Sequence, residues 1–468
     1  MQGGIIMKKK RAASRLLALA LALSLGLTMA GSASAQKKVI KAASQPASLE
    51  TLEKEEATKA GKTLEKGKAA QTLETLEKGE NGELHWEEEP QAGEAGIEAQ
   101  RVVSADDGRK DSGQGGYKDS EEVRVFIVLE GESALEEGFS AREIVEDGRA
   151  QSFSRDTQKR QDLVVEEIEQ AVSGRPLEVR YQFSLLSNAV SAVVQYKDIE
   201  KIQKVDGVRA VYEVPRYRLQ EAAEPQTITA GEMVGSYQAW DSGYTGAGQR
   251  IAIVDTGIDL GHPSFDPQAF SYGREITKEK SGHGVAKENL LDEKEIAKVF
   301  SKLKVGGEKS GVTPKSLYRN EKIAFAFNYA GKNLDVSHEE GDHGTHVAGI
   351  AAANQYVPAE KGTYQEQEDG VAGIAKDAQL LVMKVFADSD ETYTDDYMAA
   401  VEDALLLDAD VVNMSLGTPS PGESTAFSGE EYVNQVFDRL LKSDVVVSIS
   451  AGNNGSWADA SSAGHNRA

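Results

Sequence analysis

Cysteine is absent from the 468-residue sequence, which excludes disulfide bonds, thiolate nucleophiles and cysteine-ligated zinc sites. Positive charge is scarce as well, because 52 lysines and arginines face 76 aspartates and glutamates and leave a net charge of −24. We therefore expect no nucleic-acid partner, since a protein that binds nucleic acid carries a basic surface. After the N-terminal region, no apolar run reaches the ~18 residues that would suggest a membrane span. The length is enough for two to three domains.

The first 35 residues have the three parts of a secretory signal peptide. Residues 8–11 form the basic start, residues 16–27 form the apolar stretch, and residues 33–35 (Ala-Ser-Ala) form a small-residue cleavage site. A signal anchor is the alternative, but the apolar stretch is short for a membrane span. The sequence therefore predicts a secreted protein with a signal peptide at residues 1–35.

Residues 36–120 form an acidic segment of low complexity. The tetrapeptide Thr-Leu-Glu-Lys begins at residues 51, 63 and 75, and glycine-rich acidic sequence follows it. A repeat this short and polar cannot build the core of a repeat fold. We expect this segment to be a mostly disordered spacer.

Residues 121–220 have the pattern of a small globular domain. Strand and helix patterns follow one another in the order β-α-β-β-α-β, at residues 123–129, 156–172, 177–185, 189–195, 198–204 and 208–214. The helical spacing predicts one buried apolar face, which consists of Leu163, Val164, Ile168 and Val172. This order of elements is typical of a ferredoxin-like α+β domain, although the order alone says nothing about function.

The second predicted domain, residues 221–468, shows a different pattern. This pattern starts near residue 249, after a polar linker at residues 216–245. Near-continuous apolar runs alternate with helical segments; the runs lie at residues 251–254, 380–385, 411–414 and 445–450, and the helices at residues 397–407 and 432–441. Strands that are apolar on both faces are typical of a parallel sheet covered by helices. The pattern predicts a doubly wound α/β domain with its site at the carboxyl ends of the strands. Residues 266–335 interrupt the pattern as a Lys/Glu-rich insertion of surface loops and helices.

Four motifs stand at the ends of these predicted strands. Asp255 follows the first strand in an Asp-Thr-Gly turn, where a buried carboxylate can orient a histidine. His343 begins a helix of small residues, and a histidine held by a carboxylate can act as a general base. Residues 415–417 could pair their backbone with an extended peptide. Asn453, after Gly452, can direct an amide N–H at a developing oxyanion.

Each of these motifs has a simpler interpretation. Asp-Thr-Gly is also the signature of aspartic proteases, but the second carboxylate that they need is matched only by Asp111 and Asp241, and neither follows an apolar strand. His343 and His346 could bind zinc as an H-x-x-H pair, although no glutamate base stands between them. His346 could instead be a packed structural histidine. Asp255 could merely cap a helix. The combination of four motifs disfavours these alternatives.

A run of acidic residues follows the second apolar strand. It consists of Asp388, Asp390, Glu391, Asp395 and Asp396. Such a run is usually a solvated surface, and a calcium site is the alternative because oxygen ligands recur at short spacing.

The four motifs together resemble the subtilisin-like serine proteases (subtilases) and occur in the order of that family. The motifs are Asp-Thr-Gly, His-Gly-Thr-His-Val-Ala-Gly, Asn-Met-Ser-Leu-Gly and Ala-Gly-Asn. The resemblance covers roughly residues 120 to 455, and the sequence pattern is most similar to the lactocepin type of cell-envelope proteinase. It implies a secreted serine endopeptidase with a subtilisin-like sheet, acting on protein or peptide substrates, with attachment to the cell wall left open for the full-length protein.

The resemblance also implies roles for single residues. Asp255 would orient the base, His343 would be the base, and Asn453 would donate to the oxyanion. The implied substrate-binding residues are Ser415, Leu416, Gly417 and Gly452. Residues 121–220 would be a propeptide that acts as chaperone and inhibitor, with its C-terminal end in the active-site cleft. No cofactor would be required, and calcium is left open as a structural ion. Ser264 stands where many relatives carry a calcium-binding aspartate, which argues against the family's strong calcium site.

The nucleophilic serine of the family has no counterpart here. That serine lies in a Gly-Thr-Ser-Met-Ala type motif, whereas the serines that follow Asn453 lie in a polar tail, at residues 456, 461 and 462. A nucleophile needs a rigid, packed support, which this tail does not offer. We therefore expect an incomplete catalytic domain at residues 221–468 that is inactive alone. A non-catalytic, peptide-binding or protease-inhibiting fragment is the alternative function.

Overall fold

The computed structural model describes residues 117–218, 231, 233–281, 290–305, 311–338, 341–367, 372–387, 391–415, 429–441 and 443–450. All of these ranges belong to one compact unit. The predicted signal peptide at residues 1–35 and almost all of the predicted spacer lie outside them. The same is true of four predicted site residues, which are Leu416, Gly417, Gly452 and Asn453. None of the described helices is long and apolar enough to cross a membrane.

The N-terminal part of the described chain forms a four-stranded antiparallel sheet with two helices and a short third one. Its elements are β1 (Glu122–Leu129), α1 (Ala141–Glu146), α2 (Gly148–Ala171), β2 (Glu178–Phe183), β3 (Ala189–Gln195), α3 (Ile199–Ile202), β4 (Val208–Glu213) and the short β5 (Arg216–Arg218). The strand order is β2-β3-β1-β4, and every neighbouring pair is antiparallel. We call residues 117–218 the N-terminal domain.

Alternating side chains divide the N-terminal sheet into two apolar faces. Val125 and Ile127 on one face are buried beneath α2, where they meet Ile168. Phe126 and Val128 point the other way, into the core shared with the rest of the chain. Helix α2 is longer than its predicted 156–172, and the prediction was wrong for Leu163, whose side chain is 60% exposed. The apolar face of α2 therefore includes Ile168 and excludes Leu163.

The rest of the described chain is an α/β domain. Its elements are α4 (Ser236–Asp241), β6 (Arg250–Asp255), α5 (Pro267–Ser281), α6 (Glu293–Val299), α7 (Pro314–Leu317), β7 (Ile323–Asn328), α8 (His343–Ala352), β8 (Tyr356–Pro358), β9 (Tyr364–Glu366), β10 (Gln379–Lys384), β11 (Glu391–Tyr393), α9 (Thr394–Leu406), β12 (Val411–Met414), α10 (Glu430–Leu441) and β13 (Val446–Ile449). Five of the strands form a parallel sheet in the order β13-β12-β6-β10-β7. This sheet confirms the predicted α/β class.

The prediction that residues 266–335 are a surface insertion was wrong for strand β7. All six residues of Ile323–Asn328 are buried, and the strand pairs in parallel with β10. Its apolar run equals those of the other strands, so the same signal could have found it. The polar linker predicted for residues 216–245 also contains ordered structure, since it includes both β5 and α4.

Helix α8 packs closely against the turn that follows β6. Gly344, Ala348 and Ala352 form its buried face at helical spacing. A Cβ atom at Gly344 would lie 2.1 Å from the carbonyl oxygen of Gly257, which is closer than any real contact. Only glycine at position 344 therefore lets the helix approach this turn.

We predict opposite effects for Gly344→Ala and Gly349→Ala, two substitutions in the same helix. At residue 344 the added methyl group forces α8 away from the turn and should lower the free energy of unfolding by about 1–3 kcal/mol. At residue 349 nothing lies within 4 Å of the added atom. There the gain in helix propensity should raise the free energy of unfolding by up to ~1 kcal/mol. Urea denaturation measures both, and equal changes would contradict the close approach.

Candidate active site

Asp255 is the last residue of β6 and is completely buried. Its backbone oxygen accepts the amide N–H of Val385 at 2.9 Å, so the pairing with β10 fixes its position in the sheet. The amide N–H of Thr256 donates to Asp255 Oδ1 at 2.7 Å. Among the described residues, no hydrogen-bond partner reaches Oδ2. The strand thus delivers a buried carboxylate to the carboxyl edge of the sheet.

The turn after Asp255 depends on Gly257. Its φ of +112° is rarely adopted by other residues, and a Cβ atom there would lie 2.1 Å from the carbonyl oxygen of Val336. The same carbonyl oxygen accepts the amide N–H of Ile258 at 2.8 Å. The turn is therefore held between two neighbours, the loop that contains Val336 and the start of α8.

His343 is the first residue of α8, and the structure brings it to Asp255. Its Nδ1 lies 2.7 Å from Asp255 Oδ1, and 17% of its side chain is exposed. The start of α8 is tied to the turn by the Gly344 N–H, which donates to Thr256 Oγ1 at 3.0 Å. A second tie is the Asp259 N–H, which donates to Thr345 Oγ1 at 2.9 Å. Two residues far apart in the sequence are thereby fixed in hydrogen-bond contact.

The hydrogen bond from Asp255 sets the chemistry of His343. It is the main cause of a raised pKa for the imidazole; burial opposes it, and the charges of Asp255 and Asp342 add to it. Because an ionised carboxylate only accepts, Nδ1 donates the hydrogen and Nε2 of the neutral ring carries the lone pair. The pair is therefore able to take a proton at Nε2 and stabilise the imidazolium that results.

The simpler interpretations find little support in this geometry. The residue at the N-cap of α8 is Asp342, so Asp255 does not cap this helix. Within the described ranges, no three histidine or acidic side chains come together as a metal site, so His343 and His346 lack further zinc ligands there. Asp111, one of the two proposed partners of an aspartic dyad, lies outside those ranges.

Ser415 is the one predicted substrate-binding residue that the structure describes. It follows β12 directly, and the Asn413 side-chain amide donates to its Oγ at 3.1 Å. In the register between β12 and β6, Met414 faces Val254, so Ser415 lies at the same edge of the sheet as Asp255. Its role in binding substrate stays a prediction.

Sequence reasoning missed a short antiparallel pair next to this edge. Strand β5 of the N-terminal domain pairs with β11 through Thr392 and Tyr217, and Arg216 lies 3.4 Å from Glu391. The Tyr217 ring packs 6.1 Å from that of Tyr397. A three-residue strand carries too little periodicity to be predicted from the sequence. The backbone of β11 is therefore able to bind an extended peptide, here a segment of the same chain.

The prediction that the acidic run is a solvated surface was wrong for Asp395 and Asp396. Both are buried against the N-terminal domain. Arg124 contacts both carboxylates, at 3.2 Å and 2.9 Å, and Arg180 lies 2.9 Å from Asp396. Burial, followed by the charge of Asp396, raises the pKa of Asp395 to about 6, against the opposing charges of the two arginines. Asp388 and Asp390 lie outside the described residues.

Glu402 on α9 makes a second polar contact with the N-terminal domain. Its Oε1 accepts the backbone N–H groups of Leu185 and Leu186 at 3.0 Å and 2.7 Å, and it is fully buried. Its Oε2 lies 3.0 Å from Lys304 Nζ. The hydrogen bonds compensate for the burial of this carboxylate, so the contact depends on the fit between the domains.

Comparison with known proteins finds a match over most of the α/β domain, from just before β6 onward. Residues 246–467 match the Subtilase family. The chain is 29% identical over 303 residues to the PI-type proteinase of Lactococcus lactis subsp. cremoris, which covers 63% of this chain but 13% of that proteinase. It is 28% identical over 327 residues to the minor extracellular protease Vpr of Bacillus subtilis, which covers 68% of this chain and 32% of the relative. Subtilisin amylosacchariticus of Bacillus subtilis subsp. amylosacchariticus is 24% identical over 298 residues, or 63% of this chain and 56% of the subtilisin. The chain therefore spans only a small part of the first two relatives.

We predict that Asp255→Asn lowers the pKa of His343 and that Asp342→Asn lowers it less. The first substitution removes both the hydrogen bond and the charge, whereas the second removes only a nearby charge. Ring-proton NMR titration measures both pKa values, and equal decreases would contradict the assignment.

The same raised pKa makes stability depend on pH. Because the folded-state pKa lies above the unfolded value of ~6.5, protonated His343 stabilises the folded protein fully below that pH. This stabilisation is lost as the pH rises through the folded-state pKa. Asp255→Asn should remove this part of the pH dependence, which denaturation at a series of pH values would show.

Proposed function

Because residues 246–467 match the subtilase family, we propose that the protein is a secreted, subtilisin-like serine endopeptidase precursor. The observation that carries this proposal is the 2.7 Å contact between buried Asp255 and His343 at the carboxyl edge of a parallel sheet. An orienting acid and a general base in this arrangement form two thirds of a serine protease triad. Protein or peptide chains are the proposed substrates.

In the proposed reaction, His343 Nε2 takes the proton of a serine hydroxyl while the serine oxygen attacks the substrate carbonyl. Asp255 stabilises the imidazolium, which then gives the proton to the leaving amine. Asn453 and a backbone N–H are the proposed donors to the oxyanion. We propose that the serine is supplied by sequence that follows residue 468, in keeping with the PI-type proteinase, of which the match covers only 13%. This chemistry needs no cofactor; a structural calcium ion remains a proposal.

Substrate would bind in extended form along β11, where β5 lies in the structure. Ser415, Leu416, Gly417 and Gly452 would line the facing side of the cleft. Backbone pairing with an edge strand gives affinity without requiring a given side chain at every position.

We propose that the N-terminal domain is a ferredoxin-like propeptide that inhibits the protease and assists its folding. Its strand order and antiparallel pairing support the fold, and the β5–β11 pair supports inhibition, because the domain occupies the edge that a substrate would need. The buried contacts of Asp395, Asp396 and Glu402 support a tight, specific fit. Release to the cell exterior and attachment to the wall of the full-length protein are proposed from the signal-like N-terminus and the extracellular relatives.

The β5–β11 pair also favours a second candidate function, that of a non-catalytic fragment that binds peptides or inhibits a protease. The two functions differ in reactivity. Turnover of a fluorogenic peptide that a serine-directed phosphonate abolishes would refute the binding-only function.

We predict that His343→Ala lowers kcat by about 10⁶, the size of loss for the histidine of subtilisin, and Asp255→Asn by about 10⁴, the size of loss for an Asp→Asn change in a serine protease triad. The assay uses the protein extended through the coding sequence that follows residue 468. Glu275→Gln, on the exposed face of α5, is the matched control and should keep full activity. Absence of turnover in the extended protein, or turnover that survives His343→Ala, would overturn the proposal.

We predict that Glu402→Ala loosens the N-terminal domain. The substitution leaves the N–H groups of Leu185 and Leu186 without their acceptor, which costs about 1–3 kcal/mol for each buried group. Hydrogen exchange across β1 to β4 should therefore accelerate more than exchange in β6 and β10. Asp438→Ala, on the exposed side of α10, is the control. An identical exchange profile for both variants would show that Glu402 does not hold the domain.

A further inference from the structure

We infer that Lys384 is a positioning residue that holds the Asp255–His343 pair in its reactive geometry. The inference rests on the proposed function, because it takes these two residues as the catalytic pair. Lys384 ends β10, where it lies opposite Asp255 in the parallel register, and its side chain is buried. Its role would be exerted through the loop next to the Asp255 turn and not through contact with substrate.

The side chain of Lys384 reaches two parts of the site at once. Its Cδ lies 3.2 Å from the position that a Cβ atom would take on Gly257, so the stem packs against the turn after Asp255. Its Nζ donates to the carbonyl oxygen of Ser337. The neighbouring carbonyl oxygen of Val336 accepts from Ile258 of the turn. One buried lysine thus joins the turn of Asp255 to the loop that leads into His343.

The loop needs such an anchor because packing supports it on one side only. Residues 334–338 form part of the wall of an open cavity of about 840 Å³ that lies between this loop, the residues after Gly257 and α8. Polar contacts with neighbouring segments help to fix the loop. They include hydrogen bonds from the Arg319 side chain to the Leu334 oxygen, from the Ile258 N–H to the Val336 oxygen, and from Lys384 Nζ to the Ser337 oxygen.

Loss of the Lys384 ammonium would leave the Ser337 carbonyl oxygen, which lies at the cavity wall, without this donor. The loop would then relax toward the cavity and free the turn, which Gly257 keeps in close contact with Val336. Gly344 of α8 packs against that turn and against Asp255, because a Cβ atom on Gly344 would lie 2.1 Å from the Gly257 oxygen and 3.1 Å from Asp255 Oδ1. The expected result is a longer or more mobile contact between Asp255 and His343.

The test compares Lys384→Met with Lys322→Met in the whole chain. Lys322 is also fully buried, and its Nζ also donates to backbone oxygens, those of Lys376 and Ala378, but it lies at the other end of the sheet. Both variants lose a buried ammonium group and keep most of the apolar stem. Loss of stability alone is therefore common to both.

Two local readouts separate positioning from general destabilisation. In Lys384→Met the pKa of His343, followed by NMR, should fall toward the ordinary value, and exchange of the Ile258 amide should accelerate about tenfold or more. Lys322→Met should change neither. Simple removal of a positive charge would instead raise the pKa of His343, because a nearby cation disfavours imidazolium. An unchanged or raised pKa in Lys384→Met, or an equal fall in both variants, would overturn the inference.

If Lys384→Met does not fold, ¹⁵N-lysine NMR of the unaltered chain supplies a second test. A positioning ammonium should give slowly exchanging protons with contacts to the Ser337 backbone, and a freely exchanging Lys384 ammonium would overturn the inference. Neither readout requires turnover. A failure of the proposed protease activity and a failure of the Lys384 inference are therefore separate results.

Discussion

The hydrogen bond between His343 and Asp255 is the constraint on which the rest of the site depends. It forms only if the carboxylate is held at the edge of the sheet and the imidazole is held against it. The parallel pairing of β6 with β10 and β12 satisfies the first condition, because it fixes Asp255 within the sheet. The tight approach of α8 satisfies the second. The bond therefore reports on the geometry of sheet and helix together.

Two glycines make that approach possible, and neither could be replaced without moving backbone. Gly257 lies between the loop at Val336 and the start of α8, and Gly344 faces Gly257 across the helix contact. The buried stem of the Lys384 side chain packs against Gly257 from the side of the sheet. The site is thus a set of backbone segments packed at minimal distance, and its chemistry follows from that packing.

The contact between the N-terminal domain and the α/β domain has a different character. Apolar packing there includes Phe126 against Tyr432, with ring centroids 5.2 Å apart. Charged groups are nevertheless buried beside it, since Asp395 and Asp396 lie under Arg124 and Arg180. Burying such charges is unfavourable unless partners are placed accurately. We therefore expect these buried charge pairs to favour one relative placement of the two domains over others.

From the residues alone we could predict the parallel α/β class, four of the five strands of the described sheet, and the candidate acid and histidine. Apolar runs and strand-end motifs depend on neighbouring residues, so they can be read locally. The folded structure was needed to show that Asp255 meets His343, that β5 pairs with β11, and that Asp395 and Asp396 are buried. These facts depend on which distant segments become neighbours. An acidic run has the same sequence whether it faces water or two arginines of another domain.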